Sequence, residues 1–248
     1  MQKMIGLFIP CYIDKIYPNV AIATLKLLEK FGYKVEYPVK QTCCGQPFLN
    51  SGFTNEAKEL AKRFFNIFEK FDYIVAPSAS CISTVRFGYK ELLDADEHES
   101  LRVKSFELCE FLSDVAKVES FDVEFRHKIG FHQSCHGLRE LELSSSSELN
   151  IPYYSKPRRL LEMIKGLEIV ELKRADECCG FGGTFSIMEP EISVRMGLDR
   201  INDHLEAGAE YIVGYDSSCL MHMQGVAKRE GYNIKFVHIA EILAGNLI

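Results

Sequence analysis

Eight of the nine cysteines in this 248-residue sequence fall into two sets with the same order. Each set reads Cys, then Cys-Cys-Gly, then Cys, and the members are Cys11, Cys43, Cys44 and Cys81 in the first half and Cys135, Cys178, Cys179 and Cys219 in the second. Four thiolates are the usual ligands of a 4Fe-4S cluster, and they also suit a tetrahedral zinc site. The wide spacing, without the Cys-x-x-Cys pairs common in structural zinc sites, favours iron and sulfur. All eight are therefore candidate metal ligands.

The glycine after each cysteine pair indicates a turn. Neighbouring side chains of a strand point to opposite faces, so adjacent cysteines can serve one centre only in a turn or at the start of a helix. Glycine adopts the positive φ that such turns need. In the second half Gly180, Gly182 and Gly183 could direct backbone N–H groups at thiolate sulfurs, which predicts a cofactor site formed with the four second-half cysteines.

Histidines accompany the second set of cysteines. His222 follows Cys219 at the third position and is a candidate metal ligand, while His132 and His136 flank Cys135. For these two we expect a hydrogen-bonding role around the ligands. A thiol–histidine nucleophile is conceivable, but the duplicated cysteine frame argues against it. No catalytic residue is assigned, and the ninth cysteine, Cys109, is expected to pack on a helix.

Charge and hydropathy exclude several classes of protein. The formal net charge is -6 and the pI about 5.7, so no basic stripe predicts a nucleic-acid partner. The apolar runs are shorter than the roughly 20 residues that span a bilayer, and the start of the chain has no signal-peptide pattern. We expect a cytoplasmic protein, with a peripheral, partner-mediated membrane association left open.

The elements between the cysteines also repeat. Strand-like runs alternate with helical periodicity, as in βα units, and "DYIVAPSASC" (72–81) aligns with "EYIVGYDSSC" (210–219) without a gap. The predicted fold is α/β, with two tandem, pseudo-twofold-related βα repeats over residues 1–122 and 123–248 and mainly parallel sheets. Each motif cysteine follows a strand, which predicts metal sites at the carboxyl ends of the strands.

Two segments carry more specific expectations. The spacing in 190–207 predicts a helix that buries Val194, Leu198, Ile201 and Leu205. The stretch 138–157 fits no period, and we expect an exposed insertion there, with a lid or docking loop as the alternative.

Four motifs give the chain a specific resemblance. "TCCGQPFLNSG", "HQSCHGLRE", "ECCGFGGTFS" and "DSSCLMH" resemble the lactate utilisation protein A group of the cysteine-rich CCG-domain family. The cysteine-rich subunit of heterodisulfide reductase and the iron–sulfur subunit of glycolate oxidase are relatives in that family. The likeness runs over nearly the whole chain.

The resemblance implies an iron–sulfur electron-transfer component of a multi-subunit L-lactate oxidation system, in which lactate becomes pyruvate. It implies other subunits, including a separate iron–sulfur protein, and an oxidoreductase subunit rather than a complete enzyme. It implies no flavin or nicotinamide site. The alternatives are a zinc-binding or metal-free assembly subunit of the same system, and a dithiol/disulfide reductase-like protein.

One position departs from the family pattern. The family closes each frame with Cys-x-x-Cys, and here the last position is Thr84 in the first half and His222 in the second. A four-cysteine cluster, a cluster with histidine, and zinc in one half all remain open.

Overall fold

The computed structural model describes residues 3–245, which form two compact units divided after Ala116. Each unit contains one four-stranded sheet in which every strand pair is parallel. The predicted α/β class with two tandem βα repeats is confirmed. Within the described residues no helix is both long enough and apolar enough to cross a membrane.

The sheet of the first unit has the order β2-β1-β3-β4. Its strands are β1 (Met4–Leu7), β2 (Lys34–Glu36), β3 (Tyr73–Ala76) and β4 (Ser105–Glu107). Its helices are α1 (Cys11–Ile16), α2 (Pro18–Lys30), α3 (Gln46–Asn50), α4 (Thr54–Phe68), α5 (Ala79–Arg86), α6 (Ala95–Arg102) and α7 (Leu108–Glu110). The apolar strand residues are buried between helices, which is why the strands appear in the sequence as short hydrophobic runs.

The sheet of the second unit has the matching order β6-β5-β7-β8. Its strands are β5 (Lys128–His132), β6 (Glu168–Val170), β7 (Tyr211–Gly214) and β8 (Lys235–His238). Its helices are α8 (Lys156–Glu162), α9 (Phe185–Met188), α10 (Pro190–Glu206), α11 (Ser217–Glu230) and α12 (Ile239–Ala244). Short π-helical turns at Phe111–Val115 and His136–Glu140 occur in the first and second unit respectively.

The strand register repeats along with the strand order. Ile5 of β1 pairs with Tyr73, and Ile129 of β5 pairs with Tyr211. Ile5 and Ile129 lie 124 residues apart, and Cys11 and Cys135 are separated by the same number of residues. The cysteine frame and the sheet therefore repeat in step.

The segment around Cys109 differs from its prediction as a single helix. Ser105–Glu107 forms β4, which pairs with β3 at the edge of the sheet, and only the following residues turn helical. The Glu107 carboxylate accepts the Cys109 N–H at 2.6 Å and so caps the short helix. Cys109 itself is fully buried, as expected of a packing residue.

Helix α10 buries a face that only partly matches the prediction, since Ile201 is fully buried as expected. Its buried residues are Ser193, Gly197, Arg200, Ile201, Asp203 and His204. The predicted apolar positions Val194, Leu198 and Leu205 are only half-buried, packed against the core of this unit. The polar side chains of this helix can be buried because they hydrogen-bond to one another, as described below.

Candidate metal centres

Every motif cysteine lies at the carboxyl end of a strand. In the first unit Cys11 begins α1 directly after β1, Cys81 lies in the first turn of α5 after β3, and the Cys43–Cys44 pair follows β2. The second unit repeats this placement after β5, β6 and β7. Because parallel strands end at a common edge, the topology brings cysteines that are far apart in sequence together.

In the first unit the four sulfurs form a continuous cluster. The Cys11 thiol donates to Cys43 Sγ at 3.9 Å, and the Cys44 thiol donates to Cys81 Sγ at 3.6 Å. Cys43 and Cys44 are adjacent in the sequence and so join the two pairs. None of the four is in a disulfide.

Gly45 forms the turn that allows both neighbouring cysteines to face this cluster. Its φ is +85°, in the left-handed region, and its N–H donates to Cys43 Sγ at 3.4 Å. A Cβ at this position would be 3.5 Å from Leu60, which is an ordinary contact. The constraint on residue 45 is therefore its backbone conformation rather than space.

The second unit builds the same cluster with a tighter turn. Cys178 lies close enough to Cys135 and to Cys179, and Cys179 close enough to Cys219, for the thiols of each pair to interact electrostatically. Gly180 has a φ of +88° and its N–H donates to Cys178 Sγ at 3.4 Å. A Cβ on Gly180 would lie 2.6 Å from the Ser193 carbonyl oxygen, so residue 180 has neither the conformation nor the space for a side chain.

The glycines beyond the turn continue into α9. Gly182 and Gly183 both have positive φ, and the Phe181 N–H between Gly180 and Gly182 donates to Cys179 Sγ at 3.5 Å. Two backbone N–H groups thus reach sulfurs in the second cluster. The arrangement resembles the N–H groups that surround iron–sulfur clusters and set their potentials.

The thiols in each cluster differ in acidity. The pKa values of Cys43 and Cys178 lie well below the ordinary thiol value, because neighbouring thiols and the N–H of the following glycine donate to these sulfurs. Hydrogen bonding to the neighbouring sulfurs and burial raise the pKa values of Cys44 and Cys179. Each cluster therefore contains one readily formed thiolate, the form of cysteine that binds metals.

The clusters lie close to the surface. Cys44 and Cys179 are 3% and 2% exposed. The other six motif cysteines are only partly buried. A redox centre held here would lie within reach of a second protein.

Thr84 and His222, which replace the family's last cysteine, are both hydrogen-bonded to main-chain carbonyls. Thr84 Oγ1 donates to the Ser80 carbonyl at 2.9 Å, one turn earlier in α5. His222 Nε2 lies 3.1 Å from the Ser193 carbonyl, so this nitrogen is the protonated one. Each half thus presents four thiols, a donor set that fits a 4Fe-4S cluster or a zinc ion.

His132 is closer to the sulfurs than its expected hydrogen-bonding role suggests. It is 1% exposed, and a ring nitrogen lies with Cys179 Sγ and Cys219 Sγ in a group whose atoms are all within 4.8 Å of one another. Neither ring nitrogen has a hydrogen-bond partner among residues 3–245. His136, by contrast, is half-buried, with its Nε2 atom 3.9 Å from Glu140.

A buried polar group on α10 was not anticipated from the sequence. Arg200 is fully buried; it donates to the Asp203 carboxylate at 2.9 Å and to His204 Nε2 at 3.1 Å. The Asp203 carboxylate also accepts the N–H groups of Lys173 and Arg174, both at 3.1 Å. This network attaches α10 to the loop that leads into Cys178.

The first unit has aromatic rings at the matching positions. His132 precedes Cys135 by three residues, as Phe8 precedes Cys11. The other matching positions lie on the helix that packs against the turn glycine. In the second unit Met196 is next to that glycine, and Arg200 and His204 come four and eight residues later. In the first unit Leu60 is next to the glycine, and Phe64 and Phe68 come four and eight residues later. Phe8, Phe64 and Phe68 pack together with ring centroids 4.4 to 5.7 Å apart.

A cavity of about 620 Å³ lies between the 138–157 stretch and residues 172–177. The stretch is only in part the exposed insertion that we expected, because Ser144, Ser145 and Ser146 are buried.

The cations near the cysteine motifs are balanced by carboxylates: Arg139 pairs with Glu148, Lys173 with Glu206 and Arg174 with Glu177.

Comparisons with known proteins identify the family. The cysteine-rich domain family called CCG matches residues 5–86 and again 129–224, so that each match contains one cysteine frame. The chain belongs to this family. Its relatives include Lactate utilization protein A of an Exiguobacterium species, 40% identical over 246 residues and 96% of both chains. That of Geobacillus kaustophilus is 41% identical over 244 residues, 96% of this chain and 98% of the relative.

One solved structure shares the fold of this CCG protein. It is a hypothetical protein from Helicobacter pylori, 12% identical, with a TM-score of 0.53. The likeness covers 99% of this chain and 49% of that one, so the chain spans about half of its length.

Proposed function

We propose that this chain is a metal-binding electron carrier of a lactate utilisation system. The observation that carries the proposal is the pair of four-thiol clusters, repeated at equivalent strand ends of the two units. The connection with lactate comes from relatives named Lactate utilization protein A that match the chain over 96% of its length. A cofactor of the 4Fe-4S type is the finer part of the proposal.

In this proposal one cluster is held by Cys11, Cys43, Cys44 and Cys81, and the other by Cys135, Cys178, Cys179 and Cys219. When bound, an iron–sulfur cluster supplies one-electron acceptance and donation at a potential that its surroundings adjust. The chain's own contribution is the set of N–H groups of Gly45, Gly180 and Phe181, which donate to cysteine sulfurs. They stabilise negative charge and therefore favour the reduced state.

The proposal leaves His222 out of the ligand set, because within residues 3–245 it is His132, and not His222, that lies grouped with Cys179 and Cys219. It assigns no residue to lactate itself. Six partly exposed cysteines suit electron exchange with another protein of the same system, and we propose a cytoplasmic iron–sulfur subunit as that partner.

The test replaces single cysteines in the strain that encodes the chain. We expect Cys179→Ser and Cys44→Ser each to abolish growth on L-lactate while growth on glucose is unchanged. Cys109→Ala is the matched control, since Cys109 is a buried cysteine outside both clusters. Immunoblots check that each variant accumulates.

Normal growth on lactate in both cluster variants, at normal protein levels, would overturn the proposed function. Loss of growth in the Cys109→Ala strain as well would show that the assay reports folding rather than the clusters.

A further inference from the structure

The His132 ring is a buried polar group that the protein itself does not satisfy. The residue is 1% exposed, and within residues 3–245 neither Nδ1 nor Nε2 has a hydrogen-bond partner. Buried polar side chains are nearly always paired, since an unpaired one loses its hydration without compensation. An exception of this kind next to thiols indicates a partner other than a protein atom.

The position of the ring suits a metal ligand. One ring nitrogen, Cys179 Sγ and Cys219 Sγ all lie within 4.8 Å of one another. The thiol sulfurs that neighbour each other in the first cluster are 3.6 and 3.9 Å apart. The nitrogen is at a comparable distance from the second cluster's sulfurs, so a centre bound by Cys179 and Cys219 would have the imidazole within reach of one of its metal ions.

Polar side chains of α10 lie near the ring. Arg200 is fixed in place by Asp203 and His204, and the His204 ring centroid lies 6.5 Å from that of His132. In its neutral form an imidazole has a lone pair that a metal can bind.

The first unit offers no such nitrogen. Phe8 occupies the position that matches His132, and its ring packs against Phe64 at 4.9 Å and Phe68 at 5.7 Å between centroids. The two units therefore differ in which side chains could bind a metal. The cysteines do not reveal this difference, because their frame is the same in both halves.

We infer that His132 is a nitrogen ligand of the metal centre in the second unit, so that the chain holds two chemically different centres. The first is bound by four thiolates, and in the second the imidazole takes the place of one of the four thiolates. This inference rests on the proposed function. Replacing thiolate by neutral imidazole reduces the negative charge on a cluster and raises its potential, as in Rieske centres. The second centre is then the one reduced first.

The test is pulsed electron paramagnetic resonance on the anaerobically purified, dithionite-reduced full chain. Protein grown on ¹⁵N-histidine is compared with unlabelled protein. We expect a strong nitrogen coupling that changes with the isotope, and we expect His132→Phe, which reproduces the first unit's residue, to remove it. His222→Gln is the matched control and should retain the coupling.

The outcomes separate this inference from the proposed function. A reduced cluster signal without histidine coupling in the labelled wild-type protein would overturn the His132 assignment and leave an all-cysteine electron carrier. This comparison needs no variant, so it holds even if His132→Phe fails to fold. A chain that contains no paramagnetic centre would overturn the proposed function itself.

A redox titration adds a second measurement. If His132→Phe folds and retains iron, the potential of the second centre should fall while that of the first stays unchanged. Equal potentials before and after the substitution would contradict direct ligation.

Discussion

At matching positions the two units place opposite kinds of side chain next to the same cysteine frame. The first unit packs Phe8, Phe64 and Phe68 against one another, while the second has His132, Arg200 and His204. The sheets, the strand register and the Cys-Cys-Gly turns agree. The comparison shows that the cysteine frame sets where the thiols converge, and that the side chains behind them can differ independently.

The largest expected effect is the loss of one centre at a time. Cys44→Ser should empty the first site and Cys179→Ser the second, because each is the buried cysteine among the four thiols of its cluster. Iron per chain should fall by about half in either variant. If either substitution removed all of the iron, the two sites would not be independent.

The second effect concerns the buried arginine. Arg200→Met leaves the Asp203 carboxylate buried without its cation, which costs about 3 to 5 kcal/mol of unfolding free energy. The matching change Phe64→Met keeps an apolar core and should cost about 1 kcal/mol. Denaturant unfolding followed by circular dichroism measures both.

Arg102→Met is the control for that experiment, because Arg102 pairs with Glu99 on the surface, where ion pairs contribute less than about 1 kcal/mol. The buried network would not hold α10 in place if Arg200→Met lowered the unfolding free energy no more than Arg102→Met does.

The third effect is a pH dependence confined to the second unit. Burial, Arg200 and His132 hold the pKa of His204 well below its ordinary value near 6.5. The unfolded chain then binds a proton that the folded chain does not, so stability is lost as the pH falls below about 6.5. The loss is about 2 kcal/mol between pH 7 and pH 5.

Hydrogen exchange at β5, compared with β1, would report this loss at pH 5. His204→Phe, which copies Phe68, should remove about half of the pH dependence of β5 exchange, because burial lowers the pKa of His132 in the same way. Equal acid sensitivity of β1 and β5 in the wild-type protein would contradict the assignment to His204.

The smallest effect distinguishes the two turns. Gly45→Ala has room for its methyl group and should cost only the left-handed backbone strain, about 1 to 2 kcal/mol. Gly180→Ala adds a contact of 2.6 Å with the Ser193 carbonyl and should cost more. Thermal unfolding of the two variants measures the difference, and equal melting temperatures would show that the second turn is not tighter.

The sequence was sufficient to predict the parallel sheets and the carboxyl-end placement of the cysteines, since buried strands are short apolar runs and the frame repeats. Strand β4 was missed because its three residues precede Leu108, Phe111 and Leu112, whose spacing is helical. Arg200 and His204 were missed because isolated polar residues on a helix usually face solvent. One signal of this polar group was available in the sequence. Aligning the two cysteine frames places His132 where the first half has Phe8.

The most direct test of the account is the amount of iron, zinc and acid-labile sulfide per chain, with a visible spectrum, in protein purified without oxygen. An iron–sulfur electron carrier should contain iron and sulfide in equal amounts, about four of each per filled site. Its visible absorption should be bleached by dithionite. Zinc without sulfide, or metal-free protein whose vicinal cysteines titrate as a dithiol, would contradict an iron–sulfur electron carrier.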